Sequence, residues 1–299
     1  TVHRFCSSSV DAIALAGLKV ATGHTEAIVA GGVEMMSRVP MLSDAARVFS
    51  DPAYAVQHQM LLMGSGADLI ATRIGANRED CDAVALLSQQ RAALAQKEGR
   101  FQSIMPVKTP EGMISEDECI RADMTAERLA TLPAAFAELG AAGADQVQLQ
   151  KFPELSAIEH VHTMGNSPAM CDAGALVLLG DEALGNSIGM APKARLVCST
   201  TASGEPLEVV SGCVTATEAL LADQKLSAQD IDLFEIHEAF AATVVKTRQV
   251  LGIDDSRLNV NGGVIALGHP MGATGAIMTG TLIDELHRQQ LAHGIVAAS

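Results

Sequence analysis

The chain has no tryptophan, a single tyrosine and seven phenylalanines, so aromatic stacking cannot be the main content of its core. Ala, Val, Leu, Ile and Met must fill it instead. No apolar run reaches the roughly 18 residues that span a bilayer, which removes a membrane-spanning helix from consideration. Basic residues are scarce: 20 Lys and Arg stand against 35 Asp and Glu, for a formal charge of −15. Nucleic acid, whose binding releases counterions through clustered Lys and Arg, is therefore not an expected partner. That balance leaves room for small anionic ligands, which backbone N–H groups at a helix N-terminus can hold. None of the six cysteines forms a C-x-x-C pair, and in 299 residues with 48% apolar content a disulfide framework is not needed. A reducing compartment follows, the cytoplasm or an organellar matrix.

What is present reads as an α/β protein large enough for two subdomains. Around Cys6 the order is strand, sharp turn, helix. Val2 to Phe5 is extended, Ser7, Ser8 and Ser9 offer N-caps, and Val10, Ile13, Ala14, Gly17, Leu18 and Ala21 recur at helical spacing. Ala27 to Ala30 is the next strand, stopped by Gly31-Gly32, which makes a βαβ unit and predicts a parallel sheet. From Ser37 to about Ser167 short polar turns dominate. One firm helix covers Glu79 to Glu98, with Asn77 and Asp80 as a capping pair, and a Pro-interrupted helical piece covers Arg121 to Leu139. Alternation of strand and helix returns at Ala175 to Leu179. It continues through strand 194–198, helix 215–223, strand 231–236, helix 238–251, strand 258–260, helix 273–290 and strand 295–298, a second parallel layer.

Three segments concentrate reactive groups. Cys6 stands between a strand and a helix N-terminus, where backbone amides and the helix dipole favour a thiolate; a small buried residue in a tight turn is the competing reading. His237, in Glu235-Ile236-His237-Glu238-Ala239-Phe240, closes a strand at the sheet edge where ligands gather. His269 sits among glycines 262, 263, 268, 272 and 275, which permit close backbone approach. Neither G-x-G-x-x-G nor G-x-x-x-x-G-K-[ST] is present, so a phosphate loop is disfavoured. Cysteine with histidine makes a nucleophile and its base, and a second histidine can serve a thioester oxyanion.

Together these strings resemble the thiolase family: TVHRFCSSS, AGGVEMMSRVPM, the stretch from Gly66 to Phe101, IDLFEIHEAFAAT and NVNGGVIALGHPMGATGA, in family order along the whole chain. The resemblance implies a layered αβαβα fold of two similar halves. The N-terminal half takes 1–37 and 168–190, a coenzyme A-binding loop domain is inserted at 38–167, and 191–299 forms the C-terminal half. It implies acyl transfer between coenzyme A thioesters, with Cys6 as nucleophile and His269 as its activator. His237 stands where many relatives carry Asn, and its imidazole is expected to donate to an oxyanion. Met63 and Phe240 resemble residues lining a pantetheine channel. Gly165-Asn166-Ser167-Pro168 is similar to a G-N-x-S-G segment. Pro168 replaces the coenzyme-contacting serine there, leaving Ser167 as the candidate.

Coenzyme A is implied as substrate and product, with no permanently bound cofactor and no metal, and the assembly as a homodimer or homotetramer. Thr1 and Ser299 both fall in what reads as mid-sheet. That implies truncation, with a second catalytic cysteine of a C-x-G motif expected beyond Ser299. A ketoacyl synthase-like condensing enzyme and a catalytically incomplete thiolase-like subunit are the alternatives.

Overall fold

Two small sheets share one helix, and that sharing places the reactive residues. The computed structural model describes residues 1–299, apart from the side chain of Pro52. Its strands and its helices of more than ten residues are α1 (Ser8–Ala21), β1 (Ala27–Glu34), α2 (Met63–Ile74), α3 (Arg78–Lys97), β2 (Val107–Thr109), β3 (Gly112–Ile114), β4 (Ala173–Gly180), α4 (Gly212–Gln224), β5 (Leu233–Ile236), α5 (Ala241–Leu251), α6 (Met271–Gln289) and β6 (Gly294–Ala297). Among the described residues no helix is long and apolar enough to cross a membrane.

In the N-terminal part β1 pairs with β4, from Ala27 opposite Gly180 to Glu34 opposite Ala173. The pairing is antiparallel, which corrects the parallel expectation. The strand preceding α1 is also absent, since Thr1–Arg4 joins no ladder. Nor do Gly31 and Gly32 stop the strand; β1 runs through both. The reason is steric. A Cβ on Gly31 would lie 1.9 Å from the Ala175 carbonyl oxygen, and one on Gly32 would lie 1.9 Å from that of Gly272. Glycine in a strand here marks close backbone approach rather than a break.

One face of this ribbon carries Ile28, Ala30, Ala175, Val177 and Leu179 and packs with Ile13 and Ala16 of α1 and Ala276 of α6. The other face, with Val29, Val33, Leu176 and Leu178, is open to solvent, Leu176 being 76% exposed.

In the C-terminal part β5 and β6 pair in parallel, Leu233 opposite Gly294 through Ile236 opposite Ala297, and Leu258 bridges to Phe234 from the other side. This parallel layer agrees with the sequence pattern, although only Leu258 of the expected strand 258–260 joins it. Phe234, Ile236 and Leu258 are almost fully buried; each such side chain contributes about 1.5–3 kcal/mol. The expected strand 194–198 does not form: Leu196 and Val197 are exposed and join no ladder.

Helix α6 packs against both sheets and against α1. The largest apolar core joins Ala67, Ile70, Cys81, Val84 and Leu129 to Phe234, Ala241, Leu258 and Ile295, so α2 and α3 are built onto the C-terminal part. At the start of α3 Asn77 accepts from the Asp80 N–H (2.9 Å) and the Asp80 carboxylate accepts from the Asn77 N–H (2.9 Å), a reciprocal cap that matches the sequence reading. Helix α2 is new: every residue from Gly64 to Ala71 is buried, and glycines 64 and 66 in its first turns, poor helix formers, kept the sequence from announcing it.

Candidate active site

Cys6 lies in a single 3-10 turn, Phe5–Ser7, that feeds α1. Phe5 just before it has φ 47°, a left-handed backbone that a bulky residue rarely adopts, so the turn is strained. The three serines do not cap the helix as expected, because each has another partner. Ser7 donates to the Ala298 carbonyl (3.1 Å), Ser8 accepts from the Arg4 N–H (2.9 Å), and buried Ser9 accepts from the Ala276 N–H (2.9 Å). Ser9 thus ties the start of α1 to the start of α6. Gly275 lets the two helices meet there, for a Cβ on it would lie 2.4 Å from Val10 Cγ2.

That junction delivers His269. Its N–H donates to the Ala169 carbonyl (2.7 Å), Gly268 before it takes φ 92°, and α6 begins two residues later. His269 Nε2 is 3.0 Å from Cys6 Sγ, and its Nδ1 is 2.8 Å from Thr274 Oγ1. For the thiol to donate to Nε2, the proton must sit on Nδ1, with Thr274 Oγ1 accepting it. Thr274 Oγ1 is placed to accept that proton, so the contact accommodates the tautomer a base requires. Thr274 makes this contact from the first turns of α6, and the sequence reading missed it.

His237 closes β5. Its N–H donates to the Ala297 carbonyl (2.9 Å) and its Nδ1–H to the Ser299 carbonyl (2.8 Å). Asn259, at φ 47°, presents its side-chain amide to the preceding residue, accepting from the Ile236 N–H and donating to the Ile236 carbonyl, both at 2.9 Å. It replaces a strand neighbour at the point where β5 ends. Glu238 is buried and accepts from Ser88 Oγ (2.8 Å), the Ile265 N–H (3.1 Å) and Asn259 Nδ2 (3.2 Å). Asn259 and Glu238 escaped the sequence reading. Asn259 heads the Asn-Val-Asn-Gly-Gly string, Asn being tolerant of the left-handed region, and Glu238 follows His237; no role was read for either.

The imidazoles of His237 and His269 stand 4.5 Å apart, ring centre to ring centre, at 45°. A carbonyl oxygen can only accept, so the bond to Ser299 fixes the proton of neutral His237 on Nδ1. Its Nε2 is then a bare lone pair, and it is buried without a partner. Burial lowers the His237 pKa to about 4, opposed by the bond to Ser299, so the ring is neutral at ordinary pH. The expected direct donation to an oxyanion is therefore not available from Nε2. It offers an acceptor instead.

Burial also sets the resting state of the pair. It pushes the Cys6 thiol up to about 12, against a lowering backbone hydrogen bond and with a smaller contribution from Glu34. It takes His269 well below its ordinary value, with His237 adding to the effect. The helix N-terminus does not win here, as the sequence had suggested. Cys6 and His269 rest as a neutral thiol and a neutral imidazole.

The remaining candidates form a second neighbourhood. Phe240 is buried, edge-on to Phe136 at 5.6 Å and to His162 at 5.4 Å between ring centres. Gly64, next to Met63, lies against Phe136, a Cβ on it falling 2.3 Å from Cδ1. Met63 itself is half-buried against the same core. Segment 166–169 joins this region to the reactive pair: the Asn166 carbonyl accepts from the Ala241 N–H (3.2 Å), and Ala169 holds His269. Ser167, between them, is buried with its Oγ unbonded.

A strained turn presenting a thiol to an imidazole 3.0 Å away defines a cysteine-nucleophile site. Comparison with known proteins gives the particular family. Residues 1–148 match the thiolase N-terminal domain and residues 190–299 the thiolase C-terminal domain. The chain is 36% identical to a 3-ketoacyl-CoA thiolase of Bacillus subtilis (strain 168), covering 99% of this chain and 74% of that protein. It is 32% identical to an acetyl-CoA acetyltransferase of Allochromatium vinosum, over 99% and 74%. The crystal structure of human mitochondrial 3-ketoacyl-CoA thiolase in complex with CoA superposes with a TM-score of 0.84 at 29% identity, over 100% of this chain and 74% of that one. The chain belongs to the thiolase family and has its layered α/β fold.

Proposed function

We propose that this protein is an acyl-CoA C-acyltransferase that cleaves 3-ketoacyl-CoA with coenzyme A, or runs the reverse condensation, through an acyl group carried on Cys6. The 3.0 Å approach of Cys6 Sγ to His269 Nε2 carries this reading. His269, with Nδ1–H on Thr274, takes the thiol proton as sulfur attacks the 3-keto carbon. Proton transfer accompanies attack because the pair rests neutral, and the protonated Nε2 then becomes a donor beside the new oxyanion. The bond between C2 and C3 breaks, the acyl group stays on Cys6, and acetyl-CoA leaves as its enolate. A proton must reach that enolate; the 299 residues contain no C-x-G motif to supply the cysteine that the resemblance implies for this step. Coenzyme A then attacks acyl-Cys6 and releases the shortened thioester.

Met63, Phe136 and Phe240 pack in one apolar neighbourhood, the kind of surface a pantetheine arm would lie against. Ser167 supplies an unbonded hydroxyl on the segment whose ends hold Ala241 and His269. We assign coenzyme A contacts to Met63, Ser167 and Phe240 on that basis. The open apolar face of β1 and β4 supports assembly as a homodimer or homotetramer. The six free thiols suit a reducing cytoplasm or organellar matrix.

The half-reaction isolates the claim. Isotope exchange between free coenzyme A and acetyl-CoA needs only acylation and deacylation, with no chemistry at C2. Exchange should occur with this chain and vanish in Cys6→Ala. Exchange that survives the substitution removes Cys6 from the role.

A further inference from the structure

One donor atom from each of Cys6, His237 and His269 lies within 4.8 Å of the other two. Their chemistry is that of a borderline-soft metal: a sulfur and two imidazoles, close to the donor sets that zinc takes at about 2.3 Å for sulfur and 2.0–2.1 Å for nitrogen. More telling is what stands behind each ring. His237 gives its Nδ1–H to the Ser299 carbonyl, and His269 has its Nδ1 2.8 Å from Thr274 Oγ1, an oxygen able to accept an N–H. Metal-binding histidines are oriented in this way, one ring nitrogen held by an oxygen and the other presenting its lone pair. The Nε2 of His237 is buried and bonded to nothing, and His237 is 1% exposed, so a polar atom of the trio stands ready without a partner. The acyl-transfer cycle described above assigns that lone pair no task.

We propose that Cys6, His237 and His269 form a binding site for one divalent cation of the zinc class, and that the cation shuts off acyl transfer. Binding exchanges the Cys6 proton for the metal: Sγ–H breaks, the Sγ–metal bond forms with the sulfur lone pair, and the proton passes to solvent. The two Nε2 lone pairs complete three ligands, and the fourth tetrahedral position is left to water. Bringing three atoms spread over as much as 4.8 Å onto bonds of about 2 Å requires side-chain shifts of roughly 1 Å. The metal then occupies the sulfur lone pair that would attack a substrate and the nitrogen that would take its proton. The inhibitory half of this inference rests on the acyl-transfer reading; the binding half rests on the geometry alone. An asparagine at position 237 would remove one imidazole, so the site belongs to chains that carry histidine there.

Cobalt(II) reports the ligands directly. Titrated into reduced, metal-free protein, Co²⁺ should bind with one equivalent per chain, show sulfur-to-cobalt charge transfer and tetrahedral-intensity visible bands, and be displaced by Zn²⁺. The charge-transfer band should vanish in Cys6→Ser. Cobalt affinity should fall by roughly tenfold or more in His237→Asn. Zinc-edge X-ray absorption of the unsubstituted protein should show one sulfur and two imidazole neighbours, which makes the result independent of how the variants fold. No charge-transfer band, a band undiminished in Cys6→Ser, or an affinity unchanged in His237→Asn each overturns the site. Acylation of Cys6 in the metal-free protein is read separately by mass spectrometry. Loss of the acyl-transfer reading would therefore leave the cobalt result standing, and the reverse.

Discussion

Replacing Thr274 by valine removes one oxygen and leaves the shape of the side chain nearly intact. In the native protein that oxygen is 2.8 Å from His269 Nδ1 and accepts its N–H whenever Nε2 presents a lone pair to Cys6; the residue has no solvent exposure, so water cannot take its place. The imidazole then has two poor choices. It can keep the proton on Nδ1 and leave a buried donor unbonded, or move it to Nε2 and face Cys6 with a proton instead of a lone pair. A buried unsatisfied donor costs about 1–3 kcal/mol. If that penalty falls on the reactive tautomer, acylation slows by roughly five- to 150-fold. The assay is the single-turnover rate of Cys6 acylation from acetyl-CoA under saturating substrate, with the melting temperature measured alongside. Thr274→Ser keeps the hydroxyl and should recover most of the rate. The loss should appear in the acylation rate constant, with little change in the half-saturating concentration, because Thr274 meets the imidazole and not the coenzyme. A Thr274→Val protein that acylates within about twofold of the native rate would refute the tautomer argument.

Gly32→Ala puts a Cβ 1.9 Å from the Gly272 carbonyl oxygen, with backbone on both sides. It should cost about 1–3 kcal/mol or more and slow Cys6 acylation by displacing the start of α6, whereas Gly174→Ala, with only ordinary contacts, should change neither stability nor rate. Acid should destabilise the fold through His237. Its pKa falls from 6.5 to about 4 on folding, so the unfolded chain binds the extra proton first, and about 3 kcal/mol present above pH 6.5 is lost as pH falls towards 4. Urea unfolding midpoints across that window test it, and a flat profile contradicts it. Alkylation of Cys6 by iodoacetamide, followed by peptide mass spectrometry with chelator present, should accelerate about tenfold per pH unit up to about pH 10. A rate that levels off near neutrality would indicate a resting thiolate–imidazolium pair instead.

The reactive pair was legible because its chemistry is carried by side chains in distinctive strings. Cys6 before a serine run and His269 in a glycine-rich turn stood out singly, and they meet in space as the thiolase resemblance implied. The parallel layer of β5 and β6 followed from alternating strand and helix, and the cap of α3 from Asn77 and Asp80. What escaped was decided by tertiary contact. Gly31 and Gly32 looked like a stop, and only the carbonyls of Ala175 and Gly272 reveal why glycine is needed in mid-strand. Helix α2 carries Gly64 and Gly66, poor helix formers, because Phe136 and the Glu208 backbone crowd against them. The direction of β4 beside β1 depends on residues some 140 positions apart, and no local pattern encodes it. The role of His237 was misread for a related reason. Which of its nitrogens carries the proton is set by the Ser299 carbonyl, a backbone atom 62 residues away.

The central claim is that Cys6 carries the acyl group, and intact-peptide mass spectrometry after incubation with acetyl-CoA or a 3-ketoacyl-CoA reads it directly. The account predicts one acyl increment on the peptide containing Cys6, removed again by free coenzyme A and absent in Cys6→Ala. An acyl group found on Cys119, Cys171 or Cys198 instead, or a Cys6 peptide left unmodified while coenzyme A is released, would contradict it.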